Sequence, residues 1–338
     1  MSAVERRFVD DRAVAPDPRI DGLVAGLLQS PPAISPAWFY DQRGSALFER
    51  ICEQPEYYLT RVELSIMDAH AGEMAEALGP RIALIEPGSG SGLKTRRLLG
   101  ALDAPAAYVP VDISREHLLE SAARLRAEHP GLAVHPVSAD FTASFDVPAA
   151  ALEGAPRNVV YFPGSTLGNW DEPDAVELLR RFARLAGPGG AVLLGLDAVK
   201  PVEILERAYD DAAGVTAAFN LNALEHINRV TGSAIDTSAF RHEARWVAAH
   251  DRIEMRLVAR RDVVFDVATA RVRLRRGEYL LTEYSHKYTP RSAARLAAEA
   301  GLVVQQTWFD PQRWFGVWLL APGGGDYATP TDGASERG

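Results

Sequence analysis

The densest chemical signal in the chain is the run Glu86-Pro87-Gly88-Ser89-Gly90-Ser91-Gly92, with Lys94 and Thr95 just beyond it. An acid and three alternate glycines, set between an apolar run at 82–85 and a helical pattern, read as a loop that turns sharply and admits a ligand against its backbone. Spacing narrows the ligand. A dinucleotide fingerprint, Gly-x-Gly-x-x-Gly, fails because its last position falls on Leu93 counted from Gly88 and on Thr95 counted from Gly90. A P-loop fails because Leu93 separates Gly92 from Lys94. A Gly-x-Ser-x-Gly nucleophile elbow fails because glycine, Gly90, holds the nucleophile position. Two more carboxylates follow apolar runs. Asp112 stands where an acid can accept both hydroxyls of a ribose, and Asp140 with Phe141 offers an acceptor and a ring to an adenine.

These residues need a scaffold, and the pattern around them supplies one. Apolar runs at 82–85, 107–111, 133–137, 158–162 and 191–196 alternate with helical stretches at 93–102, 115–128 and 174–186, the last stopped by Gly187-Pro188-Gly189-Gly190. This is the rhythm of an α/β fold, a Rossmann-like doubly wound parallel sheet, whose ligands sit beyond the carboxyl ends of its strands. After Asp197 the rhythm changes. A helical region at 202–229 precedes period-two strands, with Ile253, Met255 and Leu257 on one face and Glu254 and Arg256 on the other. Further strands at 263–275 and 278–285 predict an antiparallel sheet. From Thr289 a helix start, then apolar runs at 302–308 and 315–320, return edge strands to the first sheet. The expected organisation is a Rossmann-like domain at 61–198 and 289–321, interrupted by a mixed α+β substrate-binding domain at 8–60 and 199–288. A disordered tail is expected at 322–338, where small polar residues cannot repay ordering.

Composition bounds the rest. The 338 residues are 47% hydrophobic, enough for two cores, and the formal charge of −9 argues against a nucleic-acid partner. One cysteine, Cys52, permits no internal disulfide and fits a reducing compartment, so a cytoplasmic location is expected. The eight histidines show no pair at metal-ligand spacing on a helix face, and no metal is expected. Met1 to Asp11 is charged without an apolar core, and no run approaches the ~20 apolar residues of a membrane span, which disfavours a signal peptide and membrane insertion. We expect a monomer acting on a small molecule.

An acid at a strand end followed by Gly-x-Gly, with acids after the second and third strands, resembles motif I and its companions in methyltransferases that use S-adenosylmethionine (SAM). The Asn-Pro-Pro-Tyr signature of enzymes that methylate nucleobases or glutamine amides is absent from Tyr161-Phe162-Pro163-Gly164-Ser165-Thr166-Leu167-Gly168-Asn169. Further strings sharpen the likeness: Ala37-Trp38-Phe39-Tyr40-Asp41, Pro55-Glu56-Tyr57-Tyr58, Tyr209 through Asn220, and Leu281-Thr282-Glu283. Together, from about Pro32 to Leu320, the chain resembles the histidine-specific Nα-methyltransferases of ergothioneine biosynthesis, which convert histidine and three SAM to trimethylhistidine, hercynine. The resemblance implies that Tyr57, the Gly164 backbone and Asn169 hold the α-amine, with Tyr57 orienting it for reaction. It implies that Asn169 and Tyr209 bind the carboxylate, and that Glu283 and Ser285 grip the imidazole beside Met255. Tyr40, Gly88, Lys94, Asp112, Asp140 and Phe141 would hold SAM, and the substrates would be L-histidine and its mono- and dimethyl forms.

One part of this reads from the residues alone. Glu283 and Ser285 lie two apart in a strand, so both project to one face, roughly 6.5 to 7 Å apart. A carboxylate accepts a ring N–H and a hydroxyl donates or accepts, a combination that suits the two nitrogens of an imidazole. Blander roles stand beside these: Met255 as core, Tyr57 and Tyr209 as packing aromatics, Asn169 as a turn residue, and Lys94 as a solvated helix residue. Three other functions stay open at this point: methylation of another amino acid such as tryptophan, a non-catalytic SAM-binding module, and a dehydrogenase.

Overall fold

A computed structural model describes residues 18–90 and 92–323. Thirteen strands occur among them: β1 (Ala83–Pro87), β2 (Ala107–Asp112), β3 (Ala133–Val134), β4 (Val137–Ser138), β5 (Asn158–Phe162), β6 (Ala191–Asp197), β7 (Phe240–Val247), β8 (Arg252–Ala259), β9 (Val263–Val267), β10 (Ala270–Leu274), β11 (Tyr279–His286), β12 (Leu302–Phe309) and β13 (Phe315–Pro322). Contacts divide the chain into two units. Among the described residues, one comprises 18–46, 217–243 and 256–283; the other comprises 47–90, 92–216, 244–255 and 284–323. Segments 47–60, 199–216, 244–255 and 284–288 thus group with the parallel sheet, whereas the sequence reading assigned them to the substrate-binding part.

The larger unit is built on an eight-stranded sheet in the order β12-β13-β6-β5-β1-β2-β3, with β4 also paired to β2. β1 runs parallel to both β2 and β5, with Ile85 opposite Val109 on one side and Val160 on the other. The chain winds outward from β1 in one direction and then, from β5, in the other. That reversal beside β1 is the crevice where open α/β sheets bind ligands. Every residue of β1 and β6 is buried, as expected of strands covered by helices on both faces. Leu98 and Leu99 of the helix Leu93–Ala101 and Met67 and Met74 of the helix Tyr58–Leu78 fill one face. Leu179 and Phe182 of the helix Glu172–Ala186 and Leu296 of the helix Pro290–Glu299 fill the other.

The expected Rossmann-like α/β fold is present, with local differences that have physical causes. The third apolar run, 133–137, is two short strands, β3 and β4, because Pro136 between them has no N–H to donate to a ladder. β13 is no edge strand: it lies between β6 and β12, antiparallel to both. The helical region at 202–229 is two helices, Val202–Tyr209 and Val215–Thr231. Asp211 ends the continuity by accepting the backbone N–H of Val215 at 2.8 Å and of Thr216 at 2.7 Å, which caps the second helix. The Thr289 start signal forms a full capping box with Ser292.

In the smaller unit, β9 and β10 form an antiparallel hairpin with Val263 opposite Leu274. The ring of Phe39 packs on Phe219 at 4.5 Å, and Asp41 accepts from Asn222 at 2.8 Å and pairs with Arg229. β7, β8 and β11 form a three-stranded sheet in the order β11-β8-β7. The run 263–275 is two strands, β9 and β10, and not one. On β8 both faces are covered, since Arg252 and Glu254 are buried along with Ile253, Met255 and Leu257. No helix of the described residues is long and apolar enough to cross a membrane. Pro322 closes β13 and Gly323 donates to Gly301 O at 2.9 Å; the rest of the expected tail, 324–338, lies outside the described residues, as do Met1 to Asp11, residues 8–17 of the expected substrate-binding part and Ser91.

Candidate active site

The glycine loop leaves β1 and enters the helix Leu93–Ala101. Gly88, Gly90 and Gly92 all have positive φ, and Gly88 donates its N–H to Val111 O at 2.7 Å. At Gly88 the requirement is double: φ is +70°, and a Cβ would lie 3.2 Å from the ring of Phe141, so any side chain would both strain the backbone and push Phe141 away. Behind the loop, Glu86 is buried. Its carboxyl accepts from Tyr108 Oη at 2.5 Å, and Thr95 Oγ1 lies 2.8 and 2.7 Å from its two oxygens. Burial pushes the Glu86 carboxyl up to about 7, against the lowering effect of those hydroxyls.

Asp112 ends β2 and accepts the N–H of Ser114 at 2.9 Å through one oxygen. Asp140, after β4, takes the N–H and hydroxyl of Thr142 at 2.8 and 2.6 Å. Phe141 is held by ring contacts with Phe162 and Trp170 at 5.7 and 6.0 Å. Both acids thus sit on preorganised turns after parallel strands. Tyr40, in the smaller unit, is 46% exposed and packs edge-on against Phe219 at 5.7 Å.

The loop after β5 is pinned from two sides. Gly164 has φ +80° and donates its N–H to the carboxylate of Glu63, at 3.1 and 2.9 Å from its oxygens. The same carboxylate holds Lys94 Nζ at 2.5 Å. Glu63, on the helix Tyr58–Leu78 and only 1% exposed, therefore joins the glycine-loop helix to the β5 loop. Ser165 Oγ accepts the N–H of Asp197 at 3.0 Å, tying the loop to the end of β6. Gly168 touches β11 so closely that a Cβ would stand 2.8 Å from His286 O; only glycine permits this approach. Asn169 closes the short 3-10 turn Thr166–Asn169 and is half-buried.

Tyr57 precedes the helix Tyr58–Leu78, 8% exposed, with its ring 6.1 Å from Tyr209 and 6.3 Å from Phe48. Tyr209, at the end of its helix, has its hydroxyl 2.6 Å from Ser285 Oγ. Met255 on β8 is buried. Glu283, half-buried, is two residues before Ser285 on β11. Gly88 and Phe141, Lys94 and Gly164, and Tyr57, Tyr209 and Ser285 are thus brought together in the larger unit, while Tyr40 and Glu283 belong to the smaller one.

Beneath Tyr209 and Ser285 lies a buried charge cluster that the sequence reading missed. Asp197 takes Lys200 at 2.5 Å, Lys287 at 2.8 Å and Tyr58 Oη at 2.7 Å. Burial alone would raise the Asp197 carboxyl, but the two ammonium groups hold it below its ordinary range. Burial brings Lys200 down to about 8 against the pull of Asp197, whereas Lys287, buried more deeply still, is held above its ordinary value by Asp197 and Tyr209. One signal was available: an acid at the carboxyl end of β6 is a site position in this topology. Glu63 had no such signal, because a glutamate in a helix pattern reads as solvated surface.

The comparison with known proteins follows this geometry. The profile of a family described as histidine-specific methyltransferase, SAM-dependent, matches residues 20–322. The chain is 41% identical over 300 residues to a histidine N-alpha-methyltransferase of Mycolicibacterium smegmatis (strain ATCC 700084 / mc(2)155), covering 87% of this chain and 92% of that one. It is 39% identical over 303 residues to a protein of the same name from Mycobacterium tuberculosis (strain CDC 1551 / Oshkosh), covering 88% and 92%. Ergothioneine biosynthesis protein 1 of Neurospora crassa matches at 29% over 299 residues, 83% of this chain but 32% of its own length. With the profile spanning nearly all described residues and the glycine loop and acids at the carboxyl ends of the sheet, this chain belongs to the family of SAM-dependent, histidine-specific methyltransferases.

Proposed function

We propose that the protein methylates the α-amine of L-histidine three times, using SAM, to give hercynine, the first step of ergothioneine biosynthesis. The observation that carries this reading is the succession of the Gly88 loop, Asp112, Asp140 with Phe141, and the Gly164–Asn169 loop after neighbouring strands β1, β2, β4 and β5, in a chain of the histidine-specific family. The residues fit the cofactor: the positive-φ glycines keep side chains out of the loop, and Asp112 and Asp140 bring acceptor chemistry suited to a ribose diol and an adenine amine. Gly88, Lys94, Asp112, Asp140, Phe141 and Tyr40 would hold it. Bound there, SAM supplies a methyl group on a sulfonium, which leaves as a neutral thioether.

The task left to the chain is alignment. Gly164 has given its N–H to Glu63, so it has only its carbonyl to offer an α-amine, and an acceptor is what an amine hydrogen needs. Tyr57 orients that amine, and Asn169 with Tyr209 takes the carboxylate. Glu283 and Ser285 take the imidazole, and Met255 packs beside it. Anchoring both ends of the substrate leaves the nitrogen free to change its substituents between transfers. After each of the first two transfers the nitrogen must lose a proton, which water can accept. We also read the enzyme as monomeric and cytoplasmic, in keeping with its single cysteine; light scattering on the purified protein checks the first point. Purified protein incubated with histidine and SAM should yield a product heavier by three methyl groups. A preparation that leaves histidine unchanged while methylating tryptophan would overturn the substrate.

A further inference from the structure

Lys287 has no role in the site described so far, yet it is among the most deeply buried charges in the molecule. Its Nζ lies 2.8 Å from Asp197 Oδ2, 2.7 Å from Ser285 Oγ and 2.9 Å from Tyr209 Oη. An ammonium has three hydrogens and no lone pair, so these three contacts use all it has, and both hydroxyl oxygens must accept from it. The two hydroxyls are also 2.6 Å from each other, and either can donate across that bond. Between them they own two hydrogens, and one is consumed in the mutual bond. At most one hydroxyl hydrogen remains for anything else.

We propose that Lys287 is a positioning residue for substrate recognition, forcing Tyr209 and Ser285 to share a single hydrogen so that a carboxylate taking it from Tyr209 leaves Ser285 only an acceptor. This rests on the reading above, in which Tyr209 meets the carboxylate and Ser285 the ring. Its consequence is a rule for the side chain of the substrate. When the carboxylate is bound, Ser285 has donated to Tyr209 and can only receive; Glu283 also only receives, so the ring must bring an N–H to each, as an imidazolium does. A five-membered ring with an acceptor nitrogen and no N–H should be refused on that ground alone, since an unmatched buried acceptor costs more than a lost contact.

The test uses histidine and its isostere 3-(4-thiazolyl)alanine, which keeps an acceptor nitrogen and lacks the N–H. The wild-type enzyme should prefer histidine by about tenfold or more in kcat/KM. Lys287→Met frees both hydroxyls to donate outward while Asp197 keeps Lys200 at 2.5 Å. It should raise the KM for histidine with little change in the KM for SAM, and should shrink the preference by about threefold or more, leaving the part that Glu283 still enforces. An undiminished preference in a folded Lys287→Met protein, or no preference in the wild type, overturns the proposal. If that variant does not fold, Tyr209→Phe, Ser285→Ala and their double variant decide. A shared hydrogen makes the combined rise in histidine KM smaller than the product of the single rises, and a full product overturns the proposal. If neither single variant moves the histidine KM, the site reading itself is wrong; if both do but Lys287→Met leaves the preference intact, only the role of Lys287 is wrong.

Discussion

Glu63 and Gly164 stand 101 positions apart, yet the Glu63 carboxylate receives the Gly164 N–H at 2.9 Å while it holds Lys94 with the same oxygen. A carboxylate that is 1% exposed needs compensation, and here it comes from both a charge and a backbone donor. Glu63→Gln keeps an acceptor for Gly164 but leaves Lys94 without its counter-charge, and should cost about 2–3 kcal/mol of stability. Glu63→Ala loses both and should cost about 1–2 kcal/mol more. Urea denaturation midpoints of the two variants check the order; equal losses would mean that the Gly164 bond contributes nothing.

Glu86 sets a pH dependence of definite sign. Its folded carboxyl titrates at about 7 against 4.5 for an ordinary glutamate, so between those values the folded state binds the extra proton. Its contribution is fully present below pH 4.5 and is lost as the pH rises to about 7. The amount is on the order of 3 kcal/mol. Glu86→Gln removes the titration and keeps a polar partner for Tyr108 and Thr95. The stability difference between the two proteins should shift in favour of the variant as pH rises through this window. A difference that stays level from pH 4.5 to 7.5 would show that Glu86 ionises normally.

Gly168→Ala places a Cβ 2.8 Å from His286 O, a contact with backbone that cannot simply rotate away. We expect a loss of ~1–3 kcal/mol. Because the loop carries Asn169 and β11 carries Ser285, the histidine KM should rise while the KM for SAM holds. Thermal melts and steady-state kinetics with each substrate varied in turn read both effects.

Glu283→Ala should raise the histidine KM by about tenfold or more, as loss of a charge-assisted hydrogen bond does. The KM for SAM should stay within about twofold. Equal changes in both constants would assign Glu283 to folding and remove it from substrate recognition.

The sequence by itself determined the scaffold and the glycine loop, because both obey local rules. Strands buried on two faces read as unbroken apolar runs, as 158–162 and 191–196 do, and a loop of positive-φ residues reads as glycine at 88, 90 and 92. Asp112 and Asp140 were legible as acids at strand ends for the same reason, Asp112 closing β2 and Asp140 lying two residues past β4. Only the tertiary structure decided that β13 slips antiparallel between β6 and β12 and that Asp211 breaks a helical stretch in two. It alone joined Glu63 to Gly164, and Lys287 to Asp197, Tyr209 and Ser285. Glutamates and lysines within helix and strand patterns look like solvated surface, since their local preferences say nothing of burial. What places them inside is compensation at hydrogen-bond distance by groups far off in the chain, and that distance exists only once the sheet and its loops have assembled.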